Sequence, residues 1–178
     1  VLFRSVTDES MWEAIFSQTE NAFGTPSVLV NNAGIAIAGA ITDFTLDDWR
    51  KQMSVNVDSV FLGTRAAMRY MGSKGGSIVN ISSVAGLRGA AGASAYCTSK
   101  GAVRLFSKAA AVECAQMGTG IRVNSVHPGI IDTPIWQKSI TRMTEAIFSD
   151  MAAPEEGVFD ENAPENISPL VVWLGSAQ

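Results

Sequence analysis

Short apolar runs alternate along this chain with longer stretches of helical periodicity. Three of the apolar runs are too short for helices, contain β-branched residues and are bounded by Gly or Pro, which is typical of buried strands. These runs are residues 28–30, 77–81 and 121–126. The predicted helices are residues 9–23, 46–71 and 93–117. Such alternation predicts an α/β fold with a doubly wound parallel sheet and helices on both faces.

Two local signals fix the ends of the predicted helices. Thr45 precedes Asp48 by three residues, a capping-box spacing that predicts the start of the second helix. Gly118 and Gly120 predict that the chain leaves the third helix in a left-handed conformation. The segment 152–164, rich in Pro, Glu and Asp, is predicted to be a loop.

Composition narrows the class of protein. A chain of 178 residues with 47% hydrophobic residues suits one globular domain, residues 1–178. The net charge of -4 arises from scattered charges with no basic cluster, so we expect neither nucleic acid nor a membrane surface as partner. No apolar run approaches the ~18 residues of a membrane span, and the start lacks a signal-peptide pattern, which predicts a cytoplasmic protein.

Cysteine and histidine usage argues against disulfide and metal chemistry. Cys97 and Cys114 fall on one predicted helix, ~25 Å apart at a rise of 1.5 Å per residue, and we expect them to be small packing residues. His127 is the single histidine. We therefore expect no metal site.

A polar turn that contains Gly follows each of the three predicted strands. The turns are Asn31-Asn32-Ala33-Gly34, Ser82-Ser83-Val84-Ala85-Gly86 and His127-Pro128-Gly129. Ligands of open α/β sheets bind beyond the carboxyl ends of the strands, so the three turns together predict one crevice. Each turn taken singly is equally explained by ordinary turn chemistry.

Asn56 interrupts an apolar stripe on the second predicted helix. A buried carboxamide costs roughly 1–3 kcal/mol unless its hydrogen bonds are satisfied. Asn56 therefore needs partners, whether backbone, water or ligand, and a satisfied structural asparagine is one reading.

Tyr96 and Lys100 lie four residues apart and share a face of the third predicted helix. A neighbouring ammonium favours phenolate, so we expect the pKa of Tyr96 to lie below its ordinary value of ~10. Such a tyrosine would serve as a general acid or base. The same spacing also occurs in exposed helical pairs without any catalytic role.

Together these residues resemble the short-chain dehydrogenase/reductase family, in its Tyr-x-x-x-Lys branch. The matching motifs stand in the family's order: Asn31-Asn32-Ala33-Gly34, Val55-Asn56-Val57, Ile81-Ser82-Ser83, Tyr96-Cys97-Thr98-Ser99-Lys100 and Pro128-Gly129-Ile130-Ile131-Asp132-Thr133. Ser83 precedes Tyr96 by the family's usual thirteen residues, which selects it over Ser82. The resemblance implies a Rossmann-like dinucleotide-binding domain and hydride transfer between NAD or NADP and a secondary alcohol or ketone.

The resemblance also implies roles for individual residues. Tyr96 would exchange the substrate proton, Lys100 would lower the pKa of Tyr96 and hold the nicotinamide ribose, and Ser83 would position the substrate oxygen. Asn56 would anchor a water in the proton relay. The implied cofactor-binding residues are Asn31, Ala33, Gly34, Tyr96, Lys100, Pro128, Gly129, Ile131 and Thr133.

The family's opening strand and its Thr-Gly-x-x-x-Gly-x-Gly turn have no counterpart here. We therefore expect a partial domain that lacks the first βαβ elements and the last strand, and weak or no activity from these 178 residues alone. The residue that separates NAD from NADP in the family lies in the absent part, so the preference stays open. Residues 1–5 resemble a translated sequencing adapter rather than native sequence.

Apolar residues of a predicted lid, residues 135–164, suggest an apolar substrate such as a hydroxysteroid or a 3-hydroxyacyl thioester. The segment after Ser139 is read either as an ordinary lid helix or as a junction with a related sequence. The family's helices that correspond to 46–71 and 93–117 pair between subunits, which implies a homo-oligomer, a tetramer or dimer. The alternative to an enzyme is a non-catalytic assembly subunit that lacks the cofactor cradle.

Overall fold

A computed structural model describes residues 5–129 of the chain. Its helices are α1 (Glu9–Phe23), α2 (Leu46–Met53), α3 (Ser59–Met71) and α4 (Ser94–Gln116), and its strands are β1 (Val28–Asn31), β2 (Gly76–Ile81) and β3 (Ile121–Val126). A π-helical segment, Ser54–Asp58, joins α2 to α3, and 3-10 turns cover Gly72–Lys74 and Val84–Gly86. The predicted order of strands and helices is confirmed.

The three strands form one parallel sheet in the order β1-β2-β3. Val30 pairs with Val79, and Val79 pairs with Asn124. Because both crossovers advance across the sheet in the same direction and are right-handed, α3 and α4 lie on the same face. On β1, Val28 and Val30 remain exposed. The predicted parallel α/β sheet is therefore confirmed, whereas the helices described within residues 5–129 cover one face of it, and the predicted helices on the other face are not seen in this part of the chain.

The hydrophobic core lies between the sheet and these helices. Trp12 and Phe16 of α1 join Met71 of α3, Ile78 of β2 and Cys114 of α4 in one buried cluster. The Trp12 indole donates to the Val6 carbonyl at 2.9 Å, which satisfies its polar atom inside the core. Cys114 is a free buried thiol, as expected of a packing residue, and Cys97 is free and half-buried.

The predicted caps are present. The Thr45 hydroxyl accepts from the Asp48 amide at 3.0 Å and donates to the Asp48 carboxylate at 2.7 Å. Beyond α4, Gly118 and Gly120 have φ of 65° and 70°, so the left-handed exit from the helix is confirmed.

One predicted helix is interrupted. The sequence predicts a single helix over residues 46–71, whereas the structure contains the π-helical segment between α2 and α3. Asn56 lies at the centre of that segment, and π-helical turns occur frequently at functional sites. The helix therefore changes its hydrogen-bond spacing at the residue singled out as a candidate for the site.

Candidate active site

The turns after the three strands meet at one edge of the sheet, as parallel strands require. The Val84 amide, after β2, donates to the Pro128 carbonyl, after β3, at 2.9 Å. Gly34, after β1, lies beside two side chains from helices, since a Cβ built on it would be 3.3 Å from Lys100 Nζ and 3.5 Å from Asn56 Oδ1. The predicted crevice is therefore bordered by all three turns.

Ser83 and Tyr96 are in direct contact. Ser83 precedes the 3-10 turn, and its hydroxyl accepts from the Ala85 amide at 3.0 Å. Tyr96 lies in the first turn of α4, is 8% exposed and forms a side-chain hydrogen bond with Ser83. A substrate oxygen that enters here would meet both hydroxyl groups at once.

The direction of the Tyr96 pKa differs from the prediction. Burial raises the pKa of the Tyr96 phenol above its ordinary value, and the hydrogen bond from Ser83 opposes this rise without cancelling it. Lys100 Nζ lies 5.7 Å from the centre of the Tyr96 ring and is directed to a backbone carbonyl. The expected lowering by Lys100 is therefore wrong for this structure, and the phenol is protonated at neutral pH.

Lys100 is almost fully buried, with 4% of its surface exposed. Its ammonium donates to the Ile81 carbonyl at the end of β2, at 2.9 Å. Burial lowers the pKa of Lys100 to about 8, because the charged form loses its hydration. Lys100 is thus held by the strand end, next to Gly34 and below the tyrosine ring.

This burial predicts a characteristic pH dependence of stability. Between about pH 8 and pH 10 the unfolded Lys100 is protonated while the folded one is largely neutral, so the unfolded state binds more protons and rising pH stabilises the fold. Relative to Lys100→Met, we expect the wild type to gain about 2–3 kcal/mol in free energy of unfolding across this window. Above pH 10 the raised pKa of Tyr96 acts in the opposite direction.

Urea unfolding of the wild type and Lys100→Met at pH 7, 8, 9 and 10 measures this difference. All other titrating groups are shared by the two proteins and cancel in the comparison. Parallel pH curves for the two proteins would show that the folded Lys100 titrates at its ordinary pKa.

Asn56 is fully buried and its carboxamide is satisfied by protein groups. Its Oδ1 accepts from the Ile35 amide at 2.8 Å, and its Nδ2 donates to the Ile35 carbonyl at 2.9 Å and to the Ser99 hydroxyl at 3.0 Å. Asn56 therefore holds the segment that follows β1 against α4. Of the partners that the sequence left open, backbone, water or ligand, the structure shows backbone.

The side chain of Asn31 lies on the helix side of the sheet. Its Nδ2 donates to Asn80 Oδ1 at 2.8 Å and to Thr64 Oγ1 at 3.3 Å. Asn80 in turn donates to the Ser107 hydroxyl at 2.9 Å. This buried polar network joins β1, β2, α3 and α4, so any contact of Asn31 with a cofactor is limited to its backbone.

The remaining predicted cofactor residues divide into two groups. Ala33 and Gly129 are exposed, and Pro128 is half-buried with its carbonyl bonded to Val84. Ile131 and Thr133, together with the predicted lid 135–164 and the loop 152–164, lie outside the described residues.

Several contacts that support the site were not predicted, although three of the residues lie in the predicted turns. The Ser82 hydroxyl donates to the Lys100 carbonyl at 2.7 Å, and the His127 imidazole contacts the Ser83 carbonyl at 3.1 Å. A Cβ on Gly86 would lie 2.7 Å from the Lys100 backbone, so only Gly lets α4 approach this turn. Gln52 is fully buried and accepts from the Ile37 amide, and its Nε2 has no partner among the described residues. The residue types were visible in the sequence, but their partners were not.

Two findings concern residues 5–129 only. No three His, Cys, Asp or Glu side chains come together there in a way that could hold a metal ion. In the same part of the chain, no helix has the length and apolarity needed to span a bilayer.

Ser83, Tyr96 and Lys100 lie together at the carboxyl ends of the strands of a parallel α/β sheet. This arrangement is that of a dehydrogenase-type dinucleotide fold. The family model described as short chain dehydrogenase matches residues 2–144. The chain belongs to this family.

Curated relatives cover most of the chain. It is 49% identical over 172 residues to an NADP-dependent (R)-specific alcohol dehydrogenase of Lentilactobacillus kefiri, a match to 96% of this chain and 67% of that protein. It is 41% identical over 172 residues to a 3-alpha-(or 20-beta)-hydroxysteroid dehydrogenase of Mycobacterium tuberculosis, covering 96% and 62%. A cyclopentanol dehydrogenase of Comamonas testosteroni is 47% identical over 142 residues, covering 77% and 54%. The chain therefore spans between about half and two thirds of the length of these relatives.

Proposed function

We propose that the full-length protein transfers a hydride between NAD or NADP and a secondary alcohol or ketone. The observation that carries this proposal is the direct hydrogen bond between Ser83 and a buried, protonated Tyr96 at the carboxyl edge of a parallel sheet. Membership of the short chain dehydrogenase family supports it, as do relatives named as dehydrogenases of alcohols and hydroxysteroids.

In the reduction direction, the two hydroxyl groups act on the carbonyl oxygen. Tyr96 is protonated at neutral pH because burial raises its pKa, so it can donate a proton to that oxygen. Ser83 holds the oxygen within reach of the phenol, since its hydroxyl already contacts Tyr96. In the oxidation direction Tyr96, as a phenolate, would accept the proton that leaves the alcohol, and Ser83 would hold the oxygen; because burial raises the pKa of Tyr96, the phenolate forms mainly at alkaline pH.

Lys100 fits the ribose of a nicotinamide dinucleotide. An ammonium has three N–H donors, and among the described residues Nζ uses one, on the Ile81 carbonyl. The other two are available for a vicinal diol that would bind beside Gly34, which has no side chain to approach Nζ. When bound, the nicotinamide would supply or accept the hydride. Ala33, Gly34, Pro128 and Gly129, with Ile131 and Thr133, complete the proposed cofactor contacts.

Asn56 contributes through position. Both N–H groups of its carboxamide are engaged, and its Oδ1 faces the space beside Gly34 and Lys100. We infer that it fixes the Gly34–Ile35 backbone beside Lys100. The remaining lone pair of Oδ1 can accept from the water of a proton relay.

The substrate class is part of the proposal. The names of the relatives specify an (R)-specific alcohol, a hydroxysteroid and cyclopentanol. We therefore place apolar secondary alcohols, hydroxysteroids among them, ahead of 3-hydroxyacyl thioesters.

The test is a substrate panel on the full-length protein, after the coding region on both sides of the chain has been sequenced. NAD⁺ and NADP⁺ are each supplied with cyclopentanol, a hydroxysteroid and a 3-hydroxyacyl thioester, with Ser83→Ala as the control. We expect turnover of at least one of the first two alcohols with one cofactor, and a large reduction of that turnover, to a level that is still measurable, in Ser83→Ala. Turnover of the thioester alone would overturn the substrate class. No turnover of any alcohol would favour the non-catalytic subunit.

Assembly into a homo-oligomer is proposed on the outer faces of α3 and α4. Phe61, Leu105 and Val112 project from these helices and are 44%, 69% and 58% exposed. Phe61 packs edge-on against Phe106 at 6.3 Å between ring centres, so an aromatic pair already joins the two helices. Such apolar exposure suits pairing with a second copy.

A further inference from the structure

The segment that carries Ser83 is tied to the end of β3 at three consecutive residues. The Ser82 amide donates to the Val126 carbonyl at 2.8 Å, and the Val84 amide donates to the Pro128 carbonyl at 2.9 Å. The tie to Ser83 itself is made by a side chain, since His127 Nδ1 lies 3.1 Å from the Ser83 carbonyl oxygen. Pro128 has no N–H to donate to this segment, so the described donor to the Ser83 carbonyl is the imidazole of His127.

The contacts of His127 define which ring nitrogen carries the proton. A carbonyl oxygen can only accept, so Nδ1 must be the protonated, donating nitrogen. In the neutral imidazole Nε2 is then an acceptor, and the Ser125 hydroxyl, 2.9 Å away, donates to it. The ring is thus held at both nitrogens, by the Ser125 hydroxyl of β3 and by the Ser83 carbonyl.

We propose that His127 is a positioning residue for Ser83, which it acts on by holding the Ser83 carbonyl so that the hydroxyl faces Tyr96. This inference rests on the proposed dehydrogenase function. The Ser83 side chain makes two contacts: it accepts from the Ala85 amide and forms a hydrogen bond with the Tyr96 phenol. Both contacts depend on the position of the Ser83 backbone. A carbonyl released from His127 would leave the Ser83 backbone held only through its neighbours, Ser82 and Val84.

A purely structural histidine would be needed for folding but would have no specific coupling to Ser83. The two readings differ in a double-mutant cycle, because a residue that acts through Ser83 has nothing to act on once the hydroxyl is gone. The two readings also differ in whether His127→Asn restores the activity that His127→Leu removes. The amide of Asn places an N–H close to where His127 Nδ1 lies, whereas Leu offers none.

The experiment measures kcat and KM of the full-length protein for His127→Leu and His127→Asn, each with Ser83 and with Ser83→Ala. With Ser83 present, we expect His127→Leu to lower kcat by about 10–100-fold with little change in cofactor KM, and His127→Asn to restore most of the loss. In the Ser83→Ala background, His127→Leu should cost less than about 2-fold more. Equal losses in both backgrounds, or an Asn variant no better than Leu, would overturn the proposal.

A second measurement does not depend on activity. His127 is the single histidine of the 178 residues, and in the full-length protein its ring signals are assigned by comparing ¹⁵N-histidine spectra of the wild type and of His127→Asn. We expect the neutral ring to carry its proton on Nδ1, and the opposite tautomer would overturn the tie to Ser83. A wild type without hydride transfer but with the Nδ1–H tautomer would instead refute the proposed function and leave the geometry of the tie intact.

Discussion

Replacing Tyr96 with Phe is expected to lower kcat of the full-length protein for ketone reduction by about 10²–10⁴-fold, the range of a general acid. The phenol is protonated at neutral pH because burial raises its pKa, and it contacts Ser83, which also faces the substrate oxygen in the proposed site. Tyr96 is 8% exposed, so Phe keeps a buried ring at this position and removes only the hydroxyl. The KM for the cofactor should change little, since Lys100 is untouched.

The matched control is Tyr70→Phe, at the other tyrosine of the chain. Tyr70 stacks on Phe16 at 5.2 Å between ring centres, and its hydroxyl donates to the Glu13 carbonyl at 3.4 Å. It lies in the core region away from the strand ends, so this variant should retain the wild-type kcat. Equal activity of the wild type and Tyr96→Phe would remove Tyr96 from the chemistry.

Replacing Asn56 with Ala is expected to lower the free energy of unfolding by about 3 kcal/mol or more. The change removes the partner of the half-buried Ile35 amide and carbonyl and the buried link to Ser99, and each polar group left unsatisfied away from water costs about 1–3 kcal/mol. Activity should fall as well, because the released Gly34–Ile35 backbone lies beside Lys100 Nζ.

Asn32→Ala provides the comparison for stability. Asn32 is an exposed asparagine on the same side of the sheet edge, and a surface change of this kind is worth about 0.5 kcal/mol or less. Denaturant unfolding of both variants measures the difference. Similar midpoints for Asn56→Ala and Asn32→Ala would mean that the Asn56 carboxamide contributes nothing to the fold.

Local patterns predicted the elements of this fold closely. The first helix occupies residues 9–23 as predicted, and the third strand covers 121–126 as predicted. These boundaries depend on neighbours in sequence, such as the Asp8 side chain that accepts from the Ser10 amide at the start of α1. The π-helical segment escaped prediction because the polar and apolar periodicity of residues 46–71 continues through it.

The chemistry of the site depends on contacts between distant parts of the chain. Sequence spacing placed Tyr96 and Lys100 on one face, but it could not show that Lys100 Nζ is drawn to the Ile81 carbonyl or that burial controls both pKa values. Asn56 was known to need partners, and only the fold identifies Ile35, which lies 21 residues earlier. His127 was visible as the single histidine, yet its contact with Ser83 spans 44 residues.

Hydride transfer itself is the central claim, and deuterium transfer tests it most directly. The full-length protein is incubated with an apolar ketone and NADH or NADPH that carries deuterium at the reactive carbon of the nicotinamide, and the product alcohol is analysed by mass spectrometry. We expect one deuterium on the carbinol carbon with at least one cofactor, and none from the Tyr96→Phe protein over the same time. The label is placed in turn on each of the two faces of the nicotinamide. Alcohol that carries no deuterium with either label, or no alcohol from any ketone, would contradict the account.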